Sequence, residues 1–197
     1  DMLLGKPLAQ VLGYQDFYKN KFLINNNVLI PRIETEILIP KILEFGDEIY
    51  DKNKQLILID AGSGSGCIGL SVAIERKDWS IILIEKSSKA VEVLLSNCKK
   101  YNVSNCTIIM SDWLTAISEK FANIIVSNPP YVDIGSKQIE DSVKNFEPNT
   151  SLYSNENGFS DIKRLIIDSK RVLANDGLLI LENGFNQSAK VSNLLEK

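Results

Sequence analysis

From residue 55 onward, short runs of consecutive apolar residues alternate with longer stretches whose apolar residues recur at helical spacing. QLILID (55–60), SIILIE (80–85), CTIIM (106–110), FANIIVS (121–127) and GLLILE (177–182) read as strands. Their lack of polar alternation is expected of strands covered on both faces. GCIGLSVAIER (66–76), SSKAVEVLLSNCKKY (87–101), SDIKRLIIDSKRVL (160–173) and NQSAKVSNLLEK (186–197) read as helices between or after them. Ser87 or Ser88 is placed to cap the second, and Asn175-Asp176-Gly177 to stop the third. This alternation predicts an α/β fold, a doubly wound and mostly parallel sheet. In such sheets ligands sit beyond the carboxyl ends of the strands, so the residues there carry the functional reading.

Residues 1–50 have a different texture. FLI and VLIP flank Asn25-Asn26-Asn27, a pattern expected of a hairpin with an asparagine turn. Glu34 to Phe45 has helical spacing, and Pro40 is expected to kink or divide that helix. Trp79 and the Asn/Ser/Lys-rich segments read as surface.

Composition narrows the chemistry. The chain carries 22 Lys plus Arg against 25 Asp plus Glu, a net charge of −3. That balance offers no overall attraction to nucleic acid. With 44% apolar residues the chain has the composition of a globular domain rather than a disordered one. No apolar stretch is long enough to span a bilayer, and the opening DMLLGKPLAQ lacks the pattern of a signal peptide. Without an initiator Met at position 1, it reads as the start of a piece excised from a longer chain. There is no histidine. That removes the commonest general base, the triads built on it and most zinc sites. No metal-ligand spacing appears, so no metal is expected. Cys67, Cys98 and Cys106 are an odd, scattered set, expected as reduced thiols inside the cell. Cys67 reads as packing rather than a nucleophile, because no base stands beside it.

Four strand ends carry candidate chemistry. After the first comes Asp60-Ala61-Gly62-Ser63-Gly64-Ser65-Gly66, a glycine loop that lets backbone amides approach a ligand. After the second comes Glu85, able to accept from the two hydroxyls of a ribose. Gly64-x-Gly66-x-x-Gly69 with a distant acid also fits the dinucleotide fingerprint. The loop therefore indicates an adenosine-containing cofactor without choosing between NAD and S-adenosylmethionine. After the third strand Asp112 can accept from an exocyclic amine, and Trp113 can cover an adenine face. After the fourth comes Asn128-Pro129-Pro130-Tyr131. Two prolines leave two positions with fixed φ and no N–H. The Asn128 side-chain oxygen and the Pro129 carbonyl can together hold both hydrogens of a planar –NH2, and Tyr131 can lie against the plane. Such a corner orients a weakly nucleophilic amide nitrogen toward a methyl sulfonium and stabilises the positive charge that grows on it. A dehydrogenase has no evident use for it, which favours S-adenosylmethionine.

These residues resemble the class I, Rossmann-like methyltransferases that act on planar amines. Four further stretches resemble the release-factor glutamine methyltransferase (HemK-like) family. They are Gly5-Lys6-Pro7-Leu8 with Gly13 and Phe17, the run from Val28 to Glu36 (VLIPRIETE), Phe146-Glu147-Pro148 with Leu152 and Gly158-Phe159, and the run from Leu181 to Gln187 (LENGFNQ). Ile33 stands where the family usually has Pro, and Glu85 where it usually has Asp. The resemblance implies transfer of a methyl group from S-adenosylmethionine, leaving S-adenosylhomocysteine, to the amide nitrogen N5 of the glutamine in the Gly-Gly-Gln loop of a peptide chain release factor. The implied cofactor residues are Asp60, Gly62, Ser63, Gly64, Ser65, Gly66, Glu85, Asp112, Trp113 and Asn128. Asn128, Pro129 and Tyr131 are the implied catalytic residues, and Asn128, Pro129, Pro130 and Tyr131 the substrate residues. Arg32, Glu34 and Glu36 read either as substrate-side groups or as a helix start with dipole-favoured acids. Residues 1–50 are expected to be the tail of a missing N-terminal helical domain. Residues 51–197 are expected to be the S-adenosylmethionine-binding catalytic domain, cut short at its C-terminus. A cytoplasmic monomer is expected, with no membrane and no direct nucleic-acid partner. The rival readings are a glutamine methyltransferase of a ribosomal protein and an adenine-N6 or guanine-N2 nucleic-acid methyltransferase. The first rival diverges after "VLIPR". The second should show a basic face or a target-recognition insertion, and the sequence has neither.

Overall fold

The computed structural model describes residues 5–136 and 140–196. The sequence-drawn segment ends at residues 1 and 197 lie outside them. In chain order the elements are α1 (Leu8–Leu12), β1 (Tyr14–Phe17), β2 (Asn20–Leu23), α2 (Leu38–Asn53), β3 (Ile57–Ala61), α3 (Cys67–Glu75), β4 (Ser80–Glu85), α4 (Ser88–Tyr101), β5 (Cys106–Met110) and β6 (Ala122–Ser127). Short pieces follow: β7 (Val132–Asp133), α5 (Asp141–Phe146), α6 (Asn149–Leu152), β8 (Tyr153–Ser154) and α7 (Asn155–Gly158). The chain then runs through α8 (Ser160–Val172), β9 (Leu173–Leu181) and α9 (Ser188–Leu195).

β5, β4, β3, β6 and β9 form a five-stranded parallel sheet in that order. The doubly wound sheet expected from the sequence is therefore present. Each apolar run serves both faces. Leu58, Ile81, Leu83, Ile124 and Val126 join a cluster with Leu70 and Val72 of α3 and Ile39 and Ile42 of α2. Their neighbours Ile59, Ile82, Ile84 and Ile125 point the other way and pack with Leu165 and Val172 of α8. Two layers of helix thus explain runs without polar alternation. The order turns back at β3, which starts the sheet between β4 and β6, and the crevice opens beyond its C-terminal end.

Three sequence expectations change: the hairpin, the stop of α8 and the place of Trp79. The hairpin is β1 with β2, closed at Tyr18-Lys19, with Tyr18 at φ 55°. FLI therefore pairs with the segment before it, which needs only a two-residue connection. The asparagines do turn the chain, but VLIP continues as buried coil: Val28 and Ile30 pack on Ala90 and Val93 of α4. The Ile30 amide donates to the Glu147 carboxylate at 3.0 Å, in place of a strand partner.

The helix around Pro40 is divided. A 3₁₀ turn (Ile33–Ile37) leads into α2, and Pro40 sits in the first turn of α2, where a missing N–H is tolerated. α2 runs through residue 50, so the expected segment boundary falls inside a helix. Asn175-Asp176-Gly177 does not stop α8. That helix ends at Val172, where the Phe121 amide donates to its carbonyl and starts the pairing with β6. Asp176 at φ 61° instead lies in a bulge, where the register passes from Ala122↔Leu173 to Ile124↔Leu178.

Trp79 is buried rather than at the surface. Its indole lies on Gly46 in the middle of α2, where any Cβ would overlap the ring. A mid-helix glycine costs about 1 kcal/mol relative to alanine, and the indole it admits to the core accounts for its presence.

Candidate active site

A cavity of about 580 Å³ opens over the C-terminal ends of the sheet strands. Gly62, Ser63, Gly64 and Ser65 line it, together with Glu85, Asp112, Trp113, Asn128 and Pro130. A smaller cavity of about 160 Å³ adjoins it, lined by Pro129, Tyr131 and Val132. Leu29, Arg32, Asn128, Pro130 and Ser151 line both, so Asn128 stands at the junction.

The glycine loop is shaped from below. The Gly62 and Ser63 amides both donate to the Ile84 carbonyl at 2.9 Å, which ties the loop to β4. Gly62 has φ 78°, and a Cβ there would stand 3.0 Å from the Trp113 ring. Only glycine lets the backbone turn under that indole. The indole is itself fixed: its Nε1 donates to Asp161 at 3.1 Å, and Asp161 accepts from Ser154 at 2.6 Å. Gly66 does not line the cavity. It caps α3 at φ 83°, and a side chain there would run into Leu94.

Asp60 also lies away from the cavity. It is 1% exposed, and its Oδ2 accepts from the Gly69 amide at 2.9 Å, holding the start of α3. Its Oδ1 is buried without a hydrogen-bond partner. Burial pushes the Asp60 carboxyl up to about 7, against the pull of the Gly69 N–H, with Glu85 adding to the rise. The folded chain therefore keeps a proton that the unfolded chain releases near the ordinary value of 3.8. Between these values the folded state binds more protons, so stability falls as pH rises from about 4 to about 7 and is level above. Asp60→Asn keeps an acceptor for Gly69 and does not titrate. Between pH 5 and pH 7 the wild-type chain is expected to lose up to about 3 kcal/mol more stability than this variant, measured by urea unfolding. Parallel pH profiles for the two proteins would show that Asp60 titrates as an ordinary carboxyl.

Glu85 is held by three backbone amides. Oε2 accepts from Gly64 at 2.9 Å, and Oε1 from Lys86 and Ser87 at 2.8 Å each. Asp112 is paired twice, through Oδ2 with Arg164 at 2.8 Å and through Oδ1 with Lys86 at 3.1 Å. The Arg164 guanidinium, aided by Lys86, holds its carboxyl below the usual range. Each Asp112 oxygen keeps one lone pair for a further donor. Cys67 lines the cavity, but burial pushes its thiol up to about 12, which leaves no thiolate at neutral pH.

At the Asn-Pro-Pro-Tyr corner, Asn128 Nδ2 donates to Thr35 Oγ1 at 3.0 Å. Thr35 donates to Glu182 at 2.7 Å, and Tyr131 donates to Glu182 at 3.2 Å. Burial, then the Glu182 charge, push the Tyr131 phenol up to about 12, so it remains protonated. Gln187 Nε2 donates to the Tyr131 and Gly158 carbonyls at 3.1 Å each, clamping the corner from outside. The Glu147 side chain is fully buried and accepts from Arg32 at 2.6 Å, binding the 28–32 segment to the 146–148 segment. Arg32 thus reads as part of a clamp, while Glu34 is exposed. Sequence reasoning missed Thr35, which lies between the two glutamates it weighed, and gave no role to Glu182. Glu182 follows the fifth strand of the sheet, so the strand-end rule applied to the other four would have found it.

Residues 43–146 match the methyltransferase small domain family. The chain is 39% identical over 196 residues to the release factor glutamine methyltransferase of Buchnera aphidicola subsp. Acyrthosiphon pisum, covering 98% of this chain and 68% of that protein. It is 34% identical over 196 residues to the release factor glutamine methyltransferase of Francisella tularensis subsp. tularensis, covering 100% and 68%. Among solved structures, the hMettl16 catalytic domain in complex with a 3′UTR hairpin is similar with a TM-score of 0.61 over 96% of this chain and 68% of that one. At 18% identity that is a likeness of fold alone. The first two similarities extend over 98–100% of this chain, and on them the chain belongs to the release factor glutamine methyltransferase family.

Proposed function

We propose that this chain methylates the side-chain amide nitrogen N5 of the glutamine in the Gly-Gly-Gln loop of a peptide chain release factor, with S-adenosylmethionine as donor. The observation that carries this reading is the position of Asn128 where the two cavities meet, its Oδ1 bonded to no protein group among the described residues. A volume of about 580 Å³ lies within the usual range of ligand sites, roughly 300–1,000 Å³. The cofactor fits the groups around it. Gly64 offers open space beside its Cα, Glu85 is an acceptor at the end of β4, and Trp113 is a fixed flat wall. The smaller cavity suits one side chain, and Pro129 and Tyr131 line it.

When bound, S-adenosylmethionine supplies an electrophilic methyl group on a sulfonium. The protein's part is alignment and electrostatics. Asn128 Oδ1 and the Pro129 carbonyl accept the two amide hydrogens, which turns the nitrogen lone pair toward the larger cavity. Alignment of this kind contributes up to roughly 7–11 kcal/mol in favourable cases. The same two oxygens stabilise the positive charge developing on nitrogen, and the buried Pro129 keeps water from competing. Glu85, Gly62 to Ser65, Asp112 and Trp113 hold the cofactor, whereas Asp60 and Gly66 shape the loop from beneath. Residues 51–197 carry the cofactor site in this reading, and 1–50 lead into it and add Leu29, Arg32 and Thr35 to the cavity walls. A cytoplasmic monomer is in keeping with it; among the described residues no helix is long and apolar enough to cross a membrane.

Mass spectrometry of a release factor incubated with this chain and S-adenosylmethionine tests the proposal. One methyl group on the Gly-Gly-Gln glutamine is expected, and none on a release factor carrying alanine there. A glutamine left unmodified by cofactor-saturated protein would refute it.

A further inference from the structure

Asn128 can act as an acceptor only in one of two amide orientations. Its oxygen and nitrogen are nearly the same size, so packing alone distinguishes them poorly. In the reversed orientation an NH2 would face the substrate NH2, donor against donor, and the corner would repel the group it is shaped to hold.

We propose that Thr35 and Glu182 form a relay that locks the Asn128 amide with its oxygen toward the substrate, so that both are positioning residues for the transfer. This rests on the function proposed above. The logic starts at Glu182, whose carboxylate can only accept. It receives the Tyr131 hydroxyl on Oε1 and the Thr35 hydroxyl on Oε2. Thr35 has a single proton, and that proton points to Glu182. Toward Asn128 its oxygen can then only accept, so the Asn128 group 3.0 Å away must be the NH2. Thr35 is 2% exposed, which keeps water from supplying an alternative partner. The relay is anchored to the sheet. The Glu182 amide donates to the Ser127 carbonyl at 3.0 Å, extending the β6–β9 ladder to the residue before Asn128. Thr35 arrives from the 3₁₀ turn Ile33–Ile37, on the other side of the corner. The high pKa of Tyr131 keeps its proton directed at Glu182 across the neutral range.

The amide introduced by Glu182→Gln can donate to Thr35, which frees the Thr35 proton to meet Asn128 and admits the reversed orientation. Thr35→Val removes the hydroxyl at nearly constant volume, and Thr35→Ser restores it. Both Glu182→Gln and Thr35→Val are expected to lower kcat about 10- to 100-fold. KM for the release factor and Kd for S-adenosylmethionine should stay within about threefold, and Thr35→Ser should recover most of the rate. In an Asn128→Ala background Thr35→Val should have no further effect, because its action passes through Asn128. A loss equal in both backgrounds, a normal kcat in folded Thr35→Val, or no recovery in Thr35→Ser would overturn the relay. Should Thr35→Val fail to fold, Glu182→Gln carries the same comparison. NMR of the Asn128 side-chain NH2 needs no turnover: a hydrogen-bonded resonance that shifts in Glu182→Gln and Thr35→Val is expected, and an unchanged one counts against the relay. Wild-type protein that shows this resonance but leaves the release factor unmethylated would sink the functional reading and spare the relay.

Discussion

Asn128→Ala is expected to lower kcat for glutamine methylation by about 10²- to 10³-fold, with S-adenosylmethionine Kd within about threefold. In the proposed clamp two acceptors hold the substrate amide, and the variant removes one. The remaining Pro129 carbonyl can bind one hydrogen but cannot fix the rotation of the NH2, so the lone pair is no longer aimed. Orientation and charge stabilisation are lost together, as when one member of a preorganised donor or acceptor pair is removed. The cofactor cavity is spared, because its loop, Glu85 and Trp113 make their hydrogen bonds without Asn128. Thr35 loses a donor but keeps its bond to Glu182. Single-turnover rates at saturating cofactor, with calorimetry for Kd, measure the split. A variant with wild-type kcat would show that the corner is not the amide clamp.

The sheet was legible because its signal is local. A run such as Leu58-Ile59 or Leu83-Ile84 needs two apolar faces wherever it lies, and the clusters on either side of the sheet supply them. The hairpin was misplaced because pairing is a choice between partners. FLI can pair with the segment on either side, and the buried Glu147 carboxylate, 117 residues away, takes the Ile30 amide. Trp79 was misjudged for the same reason: Gly46, which receives it, lies far off in the chain on α2. At the site, residues whose type announces a function, such as the glycine loop, the acid after β4 and the double proline, led to the walls of the two cavities. Asp60 was assigned to the cofactor on position alone, and its burial beneath the loop could not be read from a strand end. Thr35 stood inside the VLIPRIETE run but drew no role, since an ordinary threonine becomes a relay only when the end of β9 brings Glu182 within 2.7 Å.

Glu85→Ala is expected to raise Kd for S-adenosylmethionine about 100-fold, with kcat at saturating cofactor within about threefold. Its carboxylate joins two loops: Oε2 takes the Gly64 amide from the loop after β3, and Oε1 takes Lys86 and Ser87 after β4. Of about four lone pairs on the carboxylate the amides take three, so a ribose seated there would set one hydroxyl against the lone pair left on Oε2. Hydrogen bonds to a charged group contribute about 1.5–3 kcal/mol each. Losing the one to ribose, together with the brace that holds Gly64, leaves a deficit of about 3 kcal/mol, which is the stated change in Kd. Glu85→Gln should fare little better. Its oxygen can satisfy Lys86 and Ser87, but its NH2 then confronts the Gly64 N–H as one donor facing another. Glu85→Asp separates the two duties of the side chain. The shorter arm can still meet the ribose hydroxyl but reaches less far toward Gly64, so a Kd within about tenfold of wild type is expected. Calorimetric titration of the three variants orders them as Asp, then Gln and Ala. An unchanged Kd for Glu85→Ala would remove Glu85 from the cofactor site and leave it as a loop brace. A Glu85→Asp variant as weak as Glu85→Ala would show that the brace to Gly64, rather than the ribose contact, governs affinity.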